Sequence, residues 1–523
     1  MINKINAVLL IVLAALGCNS PKITEGGAFD CEKAPQKLKP YHGPTFKVSS
    51  WKGEVSYHKI HDKFTGEVLK YFPEGSSSKD GVTVEFKSTA PLIYNNFQHS
   101  EHLSGRYDVV YDCNDMCDGY LPWNVCKVTV SKDAKPGKVQ FGPMTVRVVD
   151  RVLPPPSEWK YFLDLWQHPW AVSRYFNVEP FSNEHFEKMT PVYKTLAECG
   201  VKALTVTLLD YPWNHQCYDA YESMIGRVKN DDGSWSFDYT IFDKYVEFGR
   251  KCGIGPDIAC YTMCPWGYVV RWQDSKGNTK SATALPGSEV FNDYWGSFLV
   301  DFKKHLIEKG WFNDTYIAMD ERTPKDVSII ANFIQEKAPG MKIAMAGNRK
   351  PSDFKGIVID NYSQGLRHDY LSPEFLAEAV QRREKGLKTT LYVCCFPDRP
   401  NTFMSSVDNE AFWLGMYPQI SGLDGFLRWA ANSWTHSPYK DASFGDWKAG
   451  DTYLVYPYGE YSARLLALRA GIVVAEKLRI LKEAGIGEKE HKEFFDKFHH
   501  SKSMKQGFNF DACRRTLEWF VNR

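Results

Sequence analysis

The stretch Tyr316-Ile317-Ala318-Met319-Asp320-Glu321-Arg322 decides how the rest of the chain is interpreted. Its apolar residues follow one another without the spacing of an amphipathic helix, which predicts a short buried strand. Pro324 then opens a helix that we predict over residues 327–337. Asp320 and Glu321 therefore stand at the carboxyl end of a strand, where a parallel α/β barrel collects its catalytic groups. A solvated acidic loop is the alternative for these residues taken alone.

The composition favours a large protein that binds carbohydrate. The chain has 523 residues, which predicts a multidomain protein. Aromatic residues make up 15% of it, and their flat rings can stack on sugar faces. The formal net charge is only +1 and no basic block occurs, so nucleic acid is not expected as a partner.

The first 18 residues have the pattern of a targeting segment. Lys4 supplies a positive charge, and residues 7–16 form an apolar run too short to span a membrane as a stable helix. The sequence that ends in Cys18 resembles a bacterial lipoprotein signal. This resemblance implies cleavage before Cys18, a lipid anchor on that cysteine and a location in the cell envelope. A plain secretory signal is the alternative.

The cysteines are compatible with an oxidising compartment. Cys31, Cys113, Cys117 and Cys126 form the densest group, and disulfides among them are permitted there, with the pairing left open. Their spacing lacks paired His or a second close Cys pair, so we expect no metal, and nothing in the sequence implies a cofactor. The adjacent Cys394 and Cys395 lie in an apolar run and are predicted to be buried thiols.

Hydrophobic patterning divides the mature chain into three parts. Residues 31–153 contain short strands with period-two alternation and no helix between them, which predicts a β-sandwich. Three consecutive prolines at 154–156 break the pattern. Strands and helices then alternate over residues 157–485, which predicts a (β/α)8 TIM-type barrel. Residues 486–523 are predicted to form a C-terminal helical extension.

Eight strand–helix units are counted in the barrel, and residues 315–321 form the fourth strand. The sixth strand is predicted at residues 358–361. A doubly wound open sheet is the rival architecture, but the chain lacks its Gly-rich phosphate loop. The insertion at residues 267–286 has two interpretations, a disordered surface loop and an active-site rim.

Aromatic and polar residues follow the predicted strands, at the end of the barrel where a sugar pocket is expected. The candidate substrate-binding residues are His168, Trp213, Tyr261, Trp266, Asn361, Tyr362, Trp429 and Trp434. Trp434 is expected to form the floor of the sugar subsite because it comes just past the last strand. For His168, the alternative to substrate binding is a structural role with its ring hydrogen-bonded inside the protein.

Four segments resemble glycoside hydrolase family 123. They are the Asp320-Glu321 pair, residues 425–434 (GFLRWAANSW), residues 450–457 (GDTYLVYP) and residues 462–471 (SARLLALRAG). The last segment continues as Ile-Val-Val-Ala-Glu476, where the family has an acidic and aromatic run. The resemblance implies an amino-terminal β-sandwich, a catalytic (β/α)8 barrel and β-N-acetylgalactosaminidase activity without a metal.

The resemblance also implies a role for each acid. A 2-acetamido sugar can attack its own anomeric carbon, with Asp320 orienting the amide N–H and Glu321 acting as general acid and then general base. Tyr362 is the predicted donor to the acetamide oxygen. A hexosaminidase that prefers β-N-acetylglucosamine is one alternative, and a non-catalytic surface glycan-binding lipoprotein is another. The natural glycan and the oligomeric state are left open.

Overall fold

The computed structural model describes residues 45–60, 75–94, 104–112, 121–367 and 371–523. Its amino-terminal part is rich in strands: β1 (Phe46–Lys52), β2 (Val55–Lys59), β3 (Ser76–Lys79), β4 (Val82–Tyr94), β5 (Ser104–Asp112), β6 (Leu121–Val130), β7 (Gly137–Phe141) and β8 (Met144–Val152). The predicted signal segment with Cys18, and also Cys31, Cys113 and Cys117, lie outside the described residues.

Two sheets make up this part, one in the order β1-β8-β7 and one in the order β2-β6-β4-β3 with β5 beside β4. Alternate residues of β4, β6 and β8 point between the sheets, as the period of two requires. These residues are Val82, Val84, Phe86, Cys126, Val128, Val130, Met144, Val146 and Val148, all buried in one apolar core. The predicted β-sandwich is therefore confirmed.

The second part of the chain alternates strands with helices. The barrel strands are β9 (Phe162–Leu165), β10 (Ala203–Thr207), β13 (Asp257–Tyr261), β16 (Thr315–Met319), β17 (Lys342–Gly347), β18 (Asn361–Gly365), β19 (Lys388–Val393) and β20 (Gly425–Arg428). The helices are α1 (Pro169–Phe176), α2 (Asn183–Glu198), α3 (Thr240–Cys252), α4 (Glu289–Glu308), α5 (Pro324–Lys337), α6 (Pro373–Glu384), α7 (Asp408–Ser421) and α8 (Ala463–Glu483).

The eight strands pair in parallel in the order β10-β13-β16-β17-β18-β19-β20-β9. The sheet nearly closes, because Leu163 of β9 forms a parallel bridge with Val201 just before β10. The Gln167 side chain spans the same seam: its Oε1 accepts from the Thr205 N–H at 2.8 Å, and its Nε2 donates to the Ala203 carbonyl at 3.2 Å. The predicted TIM-type barrel is confirmed, with β16 as its fourth strand.

The sixth strand lies later in the chain than the sequence indicated. The prediction placed it at residues 358–361, whereas β18 begins at Asn361 and ends at Gly365. Val358 is 61% exposed, and the Asp360 carboxylate accepts the Ile343 N–H at 2.8 Å just before the strand begins. All five residues of β18 are buried although their sequence, NYSQG, is polar. Hydrophobic patterning cannot find a strand of this kind.

Two loops at the barrel mouth carry a small additional sheet in the order β12-β11-β14-β15. Its strands are β11 (Gly226–Lys229), β12 (Trp235–Asp238), β14 (Val269–Asp274) and β15 (Thr279–Thr283). The insertion at residues 267–286 therefore contains an ordered hairpin, which excludes a disordered loop.

The carboxyl-terminal residues form α9 (Glu488–Lys497), α10 (His500–Ser503) and α11 (Phe510–Val521). These helices pack on α7, where the Trp413 indole donates to the Phe498 carbonyl at 3.0 Å. Trp51 of β1 donates to the Val521 carbonyl at 2.9 Å, which ties the sandwich to the last helix. The predicted helical extension is therefore present. Among the described residues, no helix is both long and apolar enough to cross a membrane.

A buried ion pair joins the sandwich to the barrel. Arg464, in the first turn of α8, binds Asp108 of β5 through its Nη2 at 2.9 Å and its Nε at 3.1 Å. The Tyr456 hydroxyl donates to the same carboxylate at 2.8 Å. Both charged side chains have almost no exposed surface. We refer to these three residues as the Asp108–Arg464 junction.

Candidate active site

The loop between β16 and α5 carries the two adjacent acids. Strand β16 is buried along its whole length, so the chain leaves the barrel core at Asp320. Thr323 then caps α5, because its hydroxyl accepts the Asp326 N–H at 3.2 Å. Pro324 occupies the first helical turn, where its missing N–H needs no partner. The strand end and the helix cap leave a short loop, which fixes Asp320 and Glu321 at the carboxyl-terminal mouth of the barrel.

A cavity of about 230 Å³ opens at this mouth, and both carboxylates line it. We call it the acid cavity. The other lining residues are Trp166, Trp213, Gln216, Trp266, Ala346, Tyr392, Cys394, Cys395, Leu427, Trp429, Trp447 and Asp451. Large aromatic faces with a few convergent polar groups are typical of a small-molecule site.

Asp320 is partly buried and is held by two neutral donors. The Trp266 indole N–H donates to its Oδ2 at 2.9 Å, and the Glu321 backbone N–H donates to its Oδ1 at 2.8 Å. Burial raises the pKa of Asp320 above its ordinary value, and these two hydrogen bonds oppose that rise. The Arg322 guanidinium lies over the Trp266 ring, 4.0 Å from its centroid, in a cation–π contact.

Glu321 is held by side chains at two other barrel strands, β17 and β19. The Tyr392 hydroxyl of β19 donates to its Oε1, and Asn348, directly after β17, donates to its Oε2 at 3.2 Å. Burial, reinforced by the nearby Glu321 charge, raises the pKa of Tyr392, so its hydroxyl remains a donor. Gly365 leaves space for this phenol, since a Cβ at that position would lie 3.1 Å from the ring.

Three aromatic rings pack together at the acid cavity. Trp166 stacks on Trp213 with ring centroids 5.0 Å apart, and Tyr261 lies 4.4 Å from Trp166. Trp166 and Trp213 face the acid cavity, whereas Tyr261 is buried behind them and does not line it. Both indoles are almost fully buried, so they form part of the packed apolar wall of the cavity.

A second carboxylate group lines the cavity near the last strand. Asp451 pairs with the fully buried Arg428 of β20, and its Oδ1 accepts the Trp429 indole N–H at 3.3 Å. Its Oδ2 is buried and has no hydrogen-bond partner among the described residues. The Arg428 pairing fixes this carboxylate in the cavity wall.

The structure brings together part of the residue set indicated by the sequence. Asp320, Glu321, Trp213, Trp266 and Trp429 all line the acid cavity. Their strands end at one mouth of the barrel, which is the reason they meet.

Three other predicted binding residues lie elsewhere. Trp434 is fully buried, and its indole donates to the Val455 carbonyl at 2.8 Å. Tyr362 is the second residue of β18, and its hydroxyl donates to the Arg349 carbonyl at 2.5 Å. Asn361 is the buried first residue of the same strand, at the end opposite to the acids.

The surroundings of His168 are those of a hydrogen-bonded structural residue, which was the alternative to a binding role. Its Nε2 lies 2.9 Å from the Asp219 carbonyl oxygen, and its ring stacks on Tyr221 with centroids 3.8 Å apart. Burial lowers its pKa to about 3, so the imidazole is neutral at ordinary pH. It does not line the acid cavity.

Sequence reasoning missed Tyr392, Asn348 and Asp451. Asn348 directly follows β17, as Asp320 follows β16, so the rule that found the acids could also have found it. Tyr392 lies inside a predicted strand, and only the pairing with Gly365 shows which way its ring points. Cys394 is partly buried and Cys395 is exposed, which corrects the prediction of two buried thiols, because both follow the end of β19.

Comparisons with known proteins agree with this geometry. The family model for the glycoside hydrolase 123 catalytic domain matches residues 166–481. The structure of a family 123 glycoside hydrolase from Clostridium perfringens, solved to explain glycolipid glycan hydrolysis, aligns with a TM-score of 0.75 at 24% identity. The alignment covers 92% of this chain and 93% of that one, which shows a shared fold.

Two other solved structures resemble the chain only weakly. A xylanase of family 10 with a bacterial Ig-like domain, from termite gut, has 12% identity and a TM-score of 0.33 over 84% of this chain and all of that chain. An exo-β-1,4-mannosidase from Opitutaceae bacterium strain TAV5 has 13% identity and a TM-score of 0.35 over 61% of this chain and 60% of that chain. No curated protein matches. Since the matched catalytic-domain model spans well over half of the 523 residues, the chain belongs to glycoside hydrolase family 123.

Proposed function

We propose that the protein releases β-linked N-acetylgalactosamine from glycans by substrate-assisted, retaining hydrolysis. The observation that carries this proposal is that Asp320 and Glu321, which are adjacent in the chain, line one cavity. An ordinary retaining glycosidase places its acid and its nucleophile on opposite sides of the anomeric carbon, about 5 to 5.5 Å apart. Neighbouring residues do not easily span that arrangement. A sugar whose own acetamide oxygen attacks the anomeric carbon removes the need for a protein nucleophile.

Asp320 orients the acetamide in this scheme. An ionised carboxylate only accepts hydrogen bonds, so it can fix the amide N–H and stabilise the positive charge of the oxazolinium ion. The bonds from Trp266 and from the Glu321 backbone favour the ionised form and set its direction.

Glu321 is the proton donor to the leaving oxygen and then the base that activates water. Tyr392 and Asn348 each donate to one of its two oxygens, which limits the directions in which the acid can point. Because water attacks the anomeric carbon from the face opposite to the acetamide, which is the face that the leaving group has vacated, two inversions follow each other and the configuration is retained.

We assign to Tyr392, and not to Tyr362, the role of donating a hydrogen bond to the acetamide oxygen. The Tyr362 hydroxyl is already bonded to the Arg349 carbonyl, and Tyr362 does not line the acid cavity. The Tyr392 hydroxyl lies in the cavity beside Glu321. A phenol has one proton, so donation to the acetamide frees Glu321 Oε1 during the reaction.

The remaining wall supplies sugar recognition. Trp266, Trp429 and Trp447 line the cavity with partly exposed rings, and Asp451 contributes a carboxylate oxygen that has no hydrogen-bond partner among the described residues. Glycolipid glycans are a candidate substrate class, because the structure of the Clostridium perfringens enzyme was determined to explain their hydrolysis.

The anchoring of the protein is a separate proposal. The lipobox-like sequence that ends in Cys18 supports a cell-envelope lipoprotein. Labelling of cells with a radioactive fatty acid tests it: the wild-type protein should take up label and Cys18→Ala should not.

Hydrolysis of paranitrophenyl glycosides tests the activity. The wild type should cleave the β-N-acetylgalactosaminide faster than the β-N-acetylglucosaminide, and the product should keep its configuration. Glu321→Gln should lower kcat/KM by about 10²–10⁴, the usual contribution of a general acid. Glu336→Gln is the matched control, because Glu336 is exposed on α5, the helix that follows the acids. Faster cleavage of the glucosaminide, an inverted product, or equal rates in Glu321→Gln and wild type would contradict the proposal.

A further inference from the structure

Two adjacent cysteines stand in the wall of the acid cavity. Cys394 and Cys395 directly follow β19, and their sulfur atoms lie 3.8 Å apart. Both line the cavity together with Asp320 and Glu321. Among the cysteines in the described parts of the chain, Cys395 alone is exposed. A thiol pair in contact, reachable from solvent and beside the acids, has no part in the hydrolysis described above.

The contact between the two thiols favours a thiolate on the exposed one. A hydrogen bond from Cys394 lowers the pKa of Cys395 to about 7. The same contact, with burial, raises the pKa of Cys394, so the pair retains one proton. The thiolate is the reactive form of cysteine, and a pKa near the ambient pH is optimal for attack on a disulfide.

We propose that Cys394 and Cys395 form a reversible oxidation site, at which a small disulfide compound converts them into a vicinal disulfide in the cavity wall. The Cys395 thiolate attacks one sulfur of the compound, forms a mixed disulfide and releases one thiolate. The Cys394 sulfur, on losing its proton, then attacks Cys395 and releases the second. The two protein thiols lose two protons and two electrons, and the compound is reduced to two thiols.

The bond that forms is easily reversed. The Cα atoms of adjacent residues lie about 3.8 Å apart, closer than the roughly 4.4–6.8 Å usual for a disulfide. A strained disulfide has a more oxidising potential and is readily reduced. The site therefore responds to the thiol–disulfide balance around the protein.

Oxidation alters the acid cavity, a consequence that rests on the proposed glycosidase function. Bond formation draws the two sulfur atoms together from 3.8 Å to about 2.05 Å. The backbone that must adjust continues from the end of β19, whose Tyr392 donates to Glu321. The Asn401 side chain, which donates to the Cys394 carbonyl at 3.0 Å, holds this backbone in its reduced position. A small displacement of a group that orients the acid lowers the rate steeply.

Oxidised glutathione is the probe for this site. Reduced full-length protein is treated with it near pH 7, free thiols are alkylated, and the peptide that contains both cysteines is weighed by mass spectrometry. That peptide should lose the mass of two hydrogen atoms, and kcat/KM should fall about tenfold and recover with dithiothreitol. The mass readout does not depend on activity, so it stands even if the protein hydrolyses no N-acetylhexosaminide.

Two variants complete the test. Cys395→Ser should show neither the mass loss nor a response of its own rate to oxidised glutathione. Cys252→Ser is the matched control, because Cys252 is partly exposed at the end of α3, outside the cavity, and it should respond as wild type does. Unmodified thiols in the treated wild type, a lasting glutathione adduct on Cys395, or the same fall in rate in Cys395→Ser would overturn the proposal.

Discussion

Asp108 and Asp320 are both withdrawn from bulk water, but they have opposite electrostatic surroundings. Asp108 at the Asp108–Arg464 junction binds a guanidinium through two contacts, and the pair is almost fully buried. Asp320 in the acid cavity is held only by an indole and a backbone N–H. Within the described parts of the chain, neither Asp320 nor Glu321 forms an ion pair with a Lys or Arg.

This difference separates groups that hold the fold from groups that act on a substrate. A buried charge is neutralised by its counter-charge. Removal of one partner leaves the other charge buried and uncompensated in a low-dielectric interior, which destabilises the fold. A carboxylate held only by neutral donors keeps a charge that no counter-charge neutralises; burial raises its pKa, and the hydrogen bonds oppose that rise. The junction should therefore affect stability and the cavity should affect rate.

Asp108→Asn should have the largest effect, on stability. It leaves the Arg464 charge buried without its partner, so the free energy of unfolding should fall by about 3–5 kcal/mol in urea titration. The kcat of the folded fraction should not change. Asp150→Asn is the control: its ion pair with Lys52 is exposed, with Asp150 71% accessible, and should contribute less than about 1 kcal/mol. An equally small change in both variants would remove the stated contrast.

Asp320→Asn should give the converse result. The amide cannot stabilise the oxazolinium charge, so kcat/KM should fall by about 10²–10³, equivalent to about 2.7–4 kcal/mol. The same variant removes a charge that burial disfavours, and its urea midpoint should equal or exceed that of wild type. A loss of stability as large as that of Asp108→Asn would show that Asp320 has a structural role.

Trp266→Phe should move the acid limb of the pH–rate profile. The indole donates to Asp320 Oδ2 and so lowers the pKa of that carboxyl, which burial has raised. Without this bond the pKa rises further, Asp320 becomes protonated at a higher pH, and activity disappears earlier on acidification. The shift should be about one pH unit, since a hydrogen bond to a charged group contributes about 1.5 kcal/mol.

The control for this profile is Trp429→Phe. Trp429 also lines the acid cavity, but its indole donates to Asp451 and not to Asp320. Its acid limb should coincide with that of wild type. A limb that moves to lower pH in Trp266→Phe, or one that moves equally in both variants, would contradict the role given to the indole.

The sequence predicted the elements and the acid loop because local rules determine them. The buried strand, Pro324 and the helix after it placed Asp320 and Glu321 at a strand end before any contact was known. The polar strand β18 was placed too early in the chain because its polar residues are buried inside the barrel, so hydrophobic periodicity does not indicate it. The assignment of Tyr362 as the acetamide donor followed an analogy with other substrate-assisted barrels and placed Tyr362 after that strand, whereas it lies inside β18.

The cavity wall could not be predicted with the same rules. Trp429 and Trp434 stand five residues apart after the same strand, yet one faces the cavity and the other donates to the Val455 carbonyl in the core. Tyr392 reaches Glu321 only because the neighbouring strand presents Gly365 beside it. The Tyr392 contact depends on the register between β18 and β19, and the Trp434 contact depends on the path of the loop after β20; a single sequence contains neither.

Thr323→Ala should have the smallest effect and act on stability and rate together. Its hydroxyl caps α5 by accepting the Asp326 N–H, and the loop it closes carries both acids. Loss of this cap should lower the free energy of unfolding by about 1 kcal/mol. A looser loop should also lower kcat, by less than Asp320→Asn does, because both acids remain. Thr323→Ser keeps the capping oxygen and should restore both quantities. If Ser restored stability but not rate, the cap would not be what positions the acids, and the methyl group of Thr323 would have to be considered instead.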